Sequence, residues 1–258
     1  MYIILKGDKV EILVLVVLGL VQGICEFLPI SSSGHLVLLS SLFGVEDSLF
    51  VSIVLHVATL LAVIIVFWKD IVFLLKHPLS KEGINLALAT IPTCIIVLIL
   101  MPLVKESFGG GALAVSFFIS AFLLFITQKL SKSSGQFTKK NAIMMGIAQG
   151  LAVFPGISRS GTTICAGLLS GAERKESAKF SFLMSIPIIL LSLIMEIYEI
   201  SVGGVSVSVN TIGLLLGAIV AFTIGILSIK LMLRLTEKAN FKWFIIYLII
   251  IGILTIFI

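Results

Sequence analysis

The amino-acid sequence predicts an all-α polytopic membrane protein. Of its 258 residues, 59% are hydrophobic and 12% are charged, whereas roughly 25% of the residues in a typical soluble domain are charged. Apolar runs recur from one end of the chain to the other, and several reach the length of about 20 residues that an α-helix needs to cross a bilayer. We therefore predict a single integral membrane domain over residues 1–258.

Six apolar runs have the length and composition of ordinary transmembrane helices. They cover residues 50–68, 84–103, 112–130, 178–199, 210–233 and 242–258. Two further stretches are apolar but are interrupted by polar residues, Pro and Gly. In the first of them, neither 10–28 nor 36–43 comfortably spans a bilayer alone. We predict that each of these two stretches forms a re-entrant helix-loop-helix hairpin, which returns to the side from which it enters.

The two interrupted stretches are copies of each other. Residues 19–35 (GLVQGICEFLPISSSGH) and 146–162 (GIAQGLAVFPGISRSGT) are identical at eight of seventeen positions. When the offset between these two copies is shifted by one residue, 88–101 also aligns with 216–229, although more weakly. Such self-similarity predicts that the chain consists of two diverged halves, approximately 1–130 and 131–258.

The lysines and arginines predict how these halves are oriented. With both hairpins re-entrant, one side of the membrane receives fourteen basic residues and the other receives Lys6, Lys9 and Lys105, with Arg159 left in the interior. Basic residues concentrate on the cytoplasmic side of membrane proteins. The halves are then inverted copies whose loops meet near the midplane. Because the basic residues are spread over short loops, the net charge of +5 predicts no nucleic-acid partner.

The second interrupted stretch carries the residues expected of a phosphate site. Pro155-Gly156 stops a helix, and Ser158-Arg159-Ser160-Gly161-Thr162 opens the next one. Free backbone N–H groups at such a helix start bind oxyanions, and the arginine fork matches phosphate oxygens. An arginine in lipid costs at least a few kcal/mol, so it requires an aqueous cavity or an anion. The alternative is a helix break with a snorkelling arginine.

The first interrupted stretch carries ionisable groups that the second lacks. Gln22 and Glu26 are one helical turn apart and share a face, and a carboxylate at this depth requires a cation, a metal ion or a proton. His35 follows a run of three serines and a glycine, and it can act as an acid, a base or a nucleophile. The second copy lacks Glu26 and His35 but has Arg159 in place of Ser32. The two copies are therefore predicted to have complementary roles.

These two motifs resemble the signatures of the bacterial undecaprenyl-diphosphate phosphatase family, also called the bacitracin-resistance phosphatases. The residues that carry the resemblance are Glu26-Phe27-Leu28-Pro29-Ile30-Ser31-Ser32-Ser33-Gly34-His35 and Pro155-Gly156-Ile157-Ser158-Arg159-Ser160-Gly161-Thr162. The resemblance covers essentially the whole chain. It implies a multi-pass enzyme of the bacterial cytoplasmic (inner) membrane that removes the terminal phosphate of a C55 isoprenyl diphosphate and so recycles the lipid carrier for peptidoglycan synthesis. It also implies a divalent cation and a homodimer. Because the helix that carries Glu26 enters from the side poor in lysine, where the family's role would produce the released carrier, we expect the active site to open to the outer face.

The expected catalytic residues are Glu26, Ser32, His35 and Arg159. The expected substrate-binding residues are the polar and small ones at the two helix starts, namely Ser31, Ser33, Gly34, Ser158, Ser160, Gly161 and Thr162. We expect Mg²⁺ or Ca²⁺ at Glu26, with Gln22 as a further ligand, because hard cations bind one or two carboxylates together with substrate phosphates. Ser32 lies three residues before His35, so on the opening turn of a helix their side chains can approach each other and His35 can take the serine proton. The nucleophile is Ser32, His35 or water.

The main alternative function is a transporter or flippase for polyprenyl phosphate, because inverted repeats with loops at the midplane also occur in secondary transporters. Catalysis needs a nucleophile, a proton carrier and charge neutralisation together, and the motifs supply all three. His56 lies within an ordinary span and is expected to bond a neighbouring helix outside the site. A face of small residues is expected to pack closely, either in a dimer or within the chain; it comprises Gly213, Gly217, Ala221 and Gly225.

Overall fold

The architecture of the chain comes from a computed structural model that describes residues 8–45, 47–106, 110–131, 135–203, 209–238 and 240–257. Within these ranges the regular structure is helical, apart from one isolated bridge between Gly135 and Ala172. The helices are α1 Asp8–Cys25, α2 Ser32–Phe43, α3 Ser48–Val66, α4 Trp68–Lys76, α5 Lys81–Glu106, α6 Gly110–Leu130, α7 Lys139–Leu151, α8 Arg159–Leu169, α9 Arg174–Gly203, α10 Thr211–Lys238 and α11 Lys242–Ile256.

Five helices in the described ranges are long and apolar enough to cross a membrane, namely α3, α5, α6, α9 and α10. They coincide with five of the six predicted spans, and they make the chain a multi-pass membrane protein. The sixth predicted span, 242–258, contains α11, an apolar helix of 15 residues. The short helix α4 was not predicted. It arises because the chain breaks at Phe67, which caps the end of α3 and the start of α4.

Two helix pairs, each with at least one short helix, coincide with the two interrupted stretches. α1 and α2 are joined through residues 26–31, and α7 and α8 are joined through residues 152–158. Helices α2, α7 and α8 contain 12, 13 and 11 residues. At about 1.5 Å per residue, each is shorter than the roughly 30 Å of a bilayer hydrocarbon core. The first connection is packed inside the protein, because Phe27, Leu28 and Ile30 belong to its largest apolar cluster.

Each of these helix pairs packs tightly against a long helix of the other half. A Cβ atom on Gly19 of α1 would lie 2.1 Å from the carbonyl oxygen of Gly217 on α10. A Cβ atom on Gly146 of α7 would lie 2.2 Å from the carbonyl oxygen of Ala89 on α5. Only glycine allows the backbones to approach so closely. The two contacts are related by the sequence repeat, which aligns Gly19 with Gly146 and Ala89 with Gly217.

The face of small residues on α10 is buried within the chain. Gly213 and Gly217 lie against α1, and Gly225 lies against the ring of Phe27 and the side chain of Ala62 on α3. Of the two predicted uses of this face, close packing within the chain is confirmed. The homodimer stays a prediction, and this face is occupied by the chain's own helices.

Different polar contacts mark the two ends of the helix bundle. At one end, Lys179 near the start of α9 pairs with Asp70 of α4 at 2.6 Å. At the other end, Glu11 Oε1 near the start of α1 accepts a hydrogen bond of 2.8 Å from the backbone N–H of Asn210, just before α10. The end of α1 and the connection that follows it lie between these ends, because Gln22 donates a hydrogen bond to Thr59 in the middle of α3 and Phe27 lies against Gly225 in the middle of α10. The candidate site is therefore placed at mid-height of the bundle.

Candidate active site

The two motifs meet through reciprocal close contacts. A Cβ atom on Gly34 would lie 2.8 Å from Gly156 Cα, and a Cβ atom on Gly161 would lie 2.9 Å from Pro29 Cβ. The repeat aligns Gly34 with Gly161 and Pro29 with Gly156, so each helix start packs against the loop of the other half. Ser160 Oγ joins the loops further by donating a hydrogen bond of 3.1 Å to the carbonyl oxygen of Leu28. Gly34 and Gly161 thus hold the two motifs together.

Both motifs place a helix N-terminus at this junction. Ser31 caps α2 by accepting a hydrogen bond from the Gly34 N–H at 3.3 Å, and Ser158 caps α8 by accepting one from the Gly161 N–H at 3.1 Å. Ser31 has a φ of 70°, a backbone conformation that non-glycine residues adopt rarely. The free N–H groups and partial positive charge of two helix starts are therefore directed toward one place.

Glu26 is the buried centre of the site. Its Oε1 atom pairs with the guanidinium of Arg159, which comes from the other half of the chain. Its Oε2 atom accepts hydrogen bonds from Ser32 Oγ at 2.5 Å and from Gln22 Nε2 at 3.1 Å. His56 Nε2 lies 3.7 Å from the same oxygen. Such a set of partners is what a carboxylate requires where no water solvates it.

Arg159 joins the two halves electrostatically and is more accessible than its partner. Its side chain is 19% exposed, whereas that of Glu26 is 3% exposed. Within the described ranges, Glu26 is the sole hydrogen-bonding partner of the guanidinium, which carries five N–H donors. The remaining donors can bind an oxyanion that approaches the two helix starts. An ion pair between Arg159 and Glu26 therefore joins the two motifs, whose loops were predicted to meet.

His35 is held in a way that differs from the prediction. Its Nδ1 atom lies 2.6 Å from the carbonyl oxygen of Ser31, and its Nε2 atom lies 2.6 Å from the hydroxyl of Tyr247. The contact between His35 and Ser32 that the spacing allowed is not formed, because both ring nitrogens bond elsewhere and Ser32 donates to Glu26. Spacing along a helix permitted the pair, but the carboxylate offers the hydroxyl a stronger, charged acceptor.

The other residues predicted to bind substrate have varied surroundings. Ser33 is partly buried, and its Oγ lies 3.4 Å from that of Ser31. The hydroxyls of Ser31 and Ser158 are engaged in helix capping. Thr162 Oγ1 is buried and has no hydrogen-bonding partner among the residues that the structure describes. The structure thus brings the two motifs to one junction, with capping and loop packing as the visible roles of several of their residues.

Comparison with known proteins agrees with this arrangement. A family model described as Bacitracin resistance protein BacA matches residues 15–254. The chain belongs to this family.

Many curated proteins align with this chain over most of its length. A protein named undecaprenyl-diphosphatase from Methanosphaera stadtmanae is 40% identical, with coverage of 95% of this chain and 97% of the relative. A protein of the same name from Thermosipho melanesiensis is 41% identical, with coverage of 92% of this chain and 96% of the relative. A third protein of this name, from Bacteroides fragilis, is 38% identical, with coverage of 93% of this chain and 95% of the relative.

Three side chains of this BacA-family site were not predicted. His56 and Thr59 come from α3, where Thr59 Oγ1 accepts a hydrogen bond of 3.3 Å from Gln22 Nε2. Tyr247 comes from α11. An ionisable side chain within an apolar span marks a functional site, and that signal was present at His56. The sequence offered no comparable signal at Tyr247, because tyrosine is common where helices meet the membrane surface.

The BacA-family site provides oxygen ligands of the kind that a divalent cation requires. Gln22 Oε1 is buried and has no hydrogen-bonding partner within the described ranges, and its residue lies one turn from Glu26. A carboxylate and an amide oxygen suit Mg²⁺ or Ca²⁺ when phosphate oxygens complete the shell. A group of three or more His, Cys, Asp or Glu side chains able to hold a metal is not found in the described parts of the chain. The ligands present therefore fit a cation that binds together with its anion.

Proposed function

We propose that this chain is an undecaprenyl-diphosphatase, which removes the terminal phosphate of a C55 isoprenyl diphosphate. The relatives named undecaprenyl-diphosphatase align over nearly their whole length. One structural observation carries the chemistry. Glu26 binds Arg159 with one oxygen and Ser32 with the other, at the place where two helix N-termini converge. The bilayer supplies the substrate, and the product is the lipid monophosphate.

The diphosphate binds at the starts of α2 and α8. Arg159 has guanidinium donors left over from its ion pair, and its partial exposure makes them accessible to the phosphate oxygens. The two helix N-termini add backbone donors and partial positive charge. Thr162 Oγ1, whose hydrogen-bonding capacity is unused among the described residues, is a further contact for the anion.

Ser32 is the nucleophile in this proposal, and Glu26 accepts its proton. Ser32 Oγ forms a bond to the terminal phosphorus while the bond from that phosphorus to the bridging oxygen breaks, and the bridging oxygen leaves with the lipid monophosphate. Glu26 Oε2, which already accepts the Ser32 hydrogen bond, takes the hydroxyl proton. The oxygen of a water molecule then forms a bond to this phosphorus while the bond from phosphorus to Ser32 Oγ breaks, and the water's protons leave with the inorganic phosphate. Glu26 returns its proton to Ser32 Oγ. Arg159 stabilises the charge on the phosphoryl oxygens in both steps.

Glu26 and Gln22 are the residues that would hold a divalent cation. When bound, such a cation neutralises charge on the diphosphate oxygens. Gln22 is suited to this role because its side-chain amide oxygen is buried and unpaired within the described ranges. Because Glu26 also bonds Arg159 and Ser32, it connects cation binding, anion binding and proton transfer.

The proposed membrane topology has six transmembrane helices and two re-entrant hairpins in inverted repeats, with the site open to the outer face. The supporting observations are the short lengths of α2, α7 and α8 and the reciprocal contacts of Gly19 and Gly146. The position of Glu26 beside the middle of α3 also supports it. The basic connections between long helices then lie in the cytoplasm. The protein is placed in the inner membrane, and a homodimer is the expected assembly.

Release of inorganic phosphate from undecaprenyl diphosphate by the purified full-length protein tests the function. We expect turnover by the wild type that depends on a divalent cation and is lost in Arg159→Ala. Undecaprenyl monophosphate is the matched control substrate, because it lacks the phosphoric anhydride bond and should not be cleaved. A protein that moves polyprenyl phosphate across liposomes without releasing phosphate from the diphosphate would instead be the transporter, and the proposal would be wrong.

A further inference from the structure

The last helix of the chain reaches the candidate site through one side chain. Tyr247 of α11 places its hydroxyl 2.6 Å from His35 Nε2, although 212 positions separate the two residues. Their rings are stacked, with centroids 5.6 Å apart and planes at 11°. Phe117 of α6 contacts the same imidazole edge-on, at 5.4 Å between ring centroids. The imidazole is therefore fixed by aromatic rings from two helices of different halves.

The position of Tyr247 follows from how α11 packs on α6. Leu248, Gly252 and Thr255 form the buried side of α11. A Cβ atom on Gly252 would lie 2.9 Å from the ring of Phe118, so the glycine lets α11 come close to α6. This contact sets the rotation and height of α11. Tyr247, next to Leu248 at the border of the buried side, is thereby directed toward His35.

The hydrogen bonds of His35 determine which ring nitrogen carries the proton. A backbone carbonyl is an acceptor only, so the contact of Nδ1 with the Ser31 oxygen requires a proton on Nδ1. In the neutral ring, Nε2 then has a lone pair, and the Tyr247 hydroxyl donates to it. The partner of one imidazole nitrogen thus selects the state of the other. Ser31 and Tyr247 together favour a single tautomer in a single orientation.

We infer that Tyr247 is a positioning residue for phosphate hydrolysis, which fixes the orientation and the Nδ1–H tautomer of His35. With respect to turnover this inference rests on the proposed function. His35 lies on the first turn of α2, beside the helix start where the diphosphate binds. An imidazole free to rotate or to exchange tautomers would lose its hydrogen bond to the carbonyl oxygen of Ser31, the residue that caps this helix start. Loss of the correct histidine tautomer is known to be costly in hydrolases.

Replacement of Tyr247 by phenylalanine tests the hydroxyl while it keeps the ring stack. We expect Tyr247→Phe to lower kcat by about 10-fold to 100-fold, the range typical for loss of a partner that orients a histidine. KM should change by less than about twofold, because the phenol is assigned no contact with substrate. Tyr198→Phe is the matched control, since Tyr198 is 68% exposed on α9, and it should leave kcat unchanged.

Nitrogen-15 NMR of histidine-labelled protein tests the tautomer independently of turnover. The chain has three histidines, and the signals lost in His35→Gln identify those of His35. We expect a protonated Nδ1 and a hydrogen-bonded, unprotonated Nε2 in the wild type. In Tyr247→Phe the Nε2 signal should move toward the position of an unbonded imidazole nitrogen, and the His56 and His77 signals should stay in place.

The two measurements together support or overturn the inference. A fall in kcat accompanied by the His35 shift supports it. Unchanged kcat, unchanged His35 signals, or a protonated Nε2 in the wild type each overturn it. A Tyr247→Phe protein should retain the wild-type melting temperature within a few degrees, because the ring remains. If the wild type releases no phosphate, the proposed function fails, while the NMR result still decides whether Tyr247 sets the tautomer of His35.

Discussion

Ser32 Oγ donates a hydrogen bond of 2.5 Å to Glu26 Oε2, and the other oxygen of that carboxylate binds Arg159. The hydroxyl therefore comes from the first motif and the guanidinium from the second, and one carboxylate joins them. A group that arrives at Arg159 changes the electrostatic surroundings of the carboxylate that holds Ser32. Anion binding and activation of the hydroxyl are consequently coupled through Glu26 in this site.

Removal of the Ser32 hydroxyl should abolish turnover. We expect Ser32→Ala to lower kcat by several orders of magnitude, because loss of an obligatory nucleophile has effects of that size. Ser41→Ala is the matched control, since Ser41 is an exposed serine of the same helix outside the two motifs, and it should leave kcat unchanged. Phosphate release from undecaprenyl diphosphate measures both variants.

A trapped intermediate distinguishes the candidate nucleophiles. Rapid acid quench followed by mass mapping of the peptide that contains Ser31–His35 should locate a phosphate on Ser32. Retention of more than about a tenth of wild-type kcat by Ser32→Ala is incompatible with an obligatory serine nucleophile. Phosphate found on His35 would transfer the role of nucleophile to the imidazole.

Arg159 should contribute most when charge is redistributed on the transferring phosphoryl group. We expect Arg159→Ala to lose about two or more orders of magnitude in kcat. Arg159→Lys should retain part of the activity, because it keeps the charge and loses the fork that matches phosphate. Steady-state kinetics on well-folded protein measure this difference, and wild-type kcat in Arg159→Ala would exclude the role.

Glu26→Gln should change the cation dependence as well as the rate. The amide is a weaker ligand than the carboxylate, so the cation concentration that gives half of maximal activity should rise. The amide is also unable to accept the Ser32 proton, so kcat at saturating cation should remain low. A titration with Mg²⁺ at fixed substrate separates these effects. An unchanged half-saturating concentration would leave Glu26 as proton acceptor alone.

The two halves of the chain, and the need of its buried charges for partners, could be predicted from the sequence. The alignment of Gln22 with Gln149 revealed the two halves, and the burial cost of Glu26 and Arg159 required that each have a partner. The structure brings this carboxylate and guanidinium together. The ion pair itself was not predicted, because a metal ion at Glu26 and a phosphate at Arg159 would also satisfy the two charges.

The partners of the side chains could not be predicted by the same reasoning. The spacing of Ser32 and His35 allowed them to meet, but tertiary neighbours decided the outcome, with Glu26 taking the hydroxyl and Tyr247 the imidazole. A contact between residues 212 positions apart depends on the rotation of α11 on α6, and helix periodicity does not encode that rotation. The break at Phe67 that creates α4 was likewise without a Pro or Gly signal.

His56 should contribute to the site through Glu26. Its Nδ1 atom donates a hydrogen bond of 2.8 Å to the carbonyl oxygen of Ser52, and its Nε2 atom lies 3.7 Å from Glu26 Oε2, so the imidazolium form directs its second N–H toward the carboxylate. We expect His56→Leu to lower kcat about 10-fold or more, because the loss of a polar partner of a buried charge costs about 1–3 kcal/mol. His56→Gln should be milder. His77→Gln, in an exposed segment after α4, is the control, and equal kcat in all variants would remove His56 from the site.

The side from which the site opens can be measured by labelling single cysteines. The native Cys25, Cys94 and Cys165 are first replaced, and one cysteine is then introduced at Asp47 or at Lys139. Asp47 precedes α3 in the connection from the first hairpin, and Lys139 begins the second hairpin. The excess of basic residues around Lys139 assigns it to the cytoplasm. An impermeant maleimide added to intact cells should therefore label Asp47→Cys and leave Lys139→Cys unlabelled, whereas lysed cells should label both. Labelling of Lys139→Cys alone in intact cells would invert the topology and direct the site toward the cytoplasm.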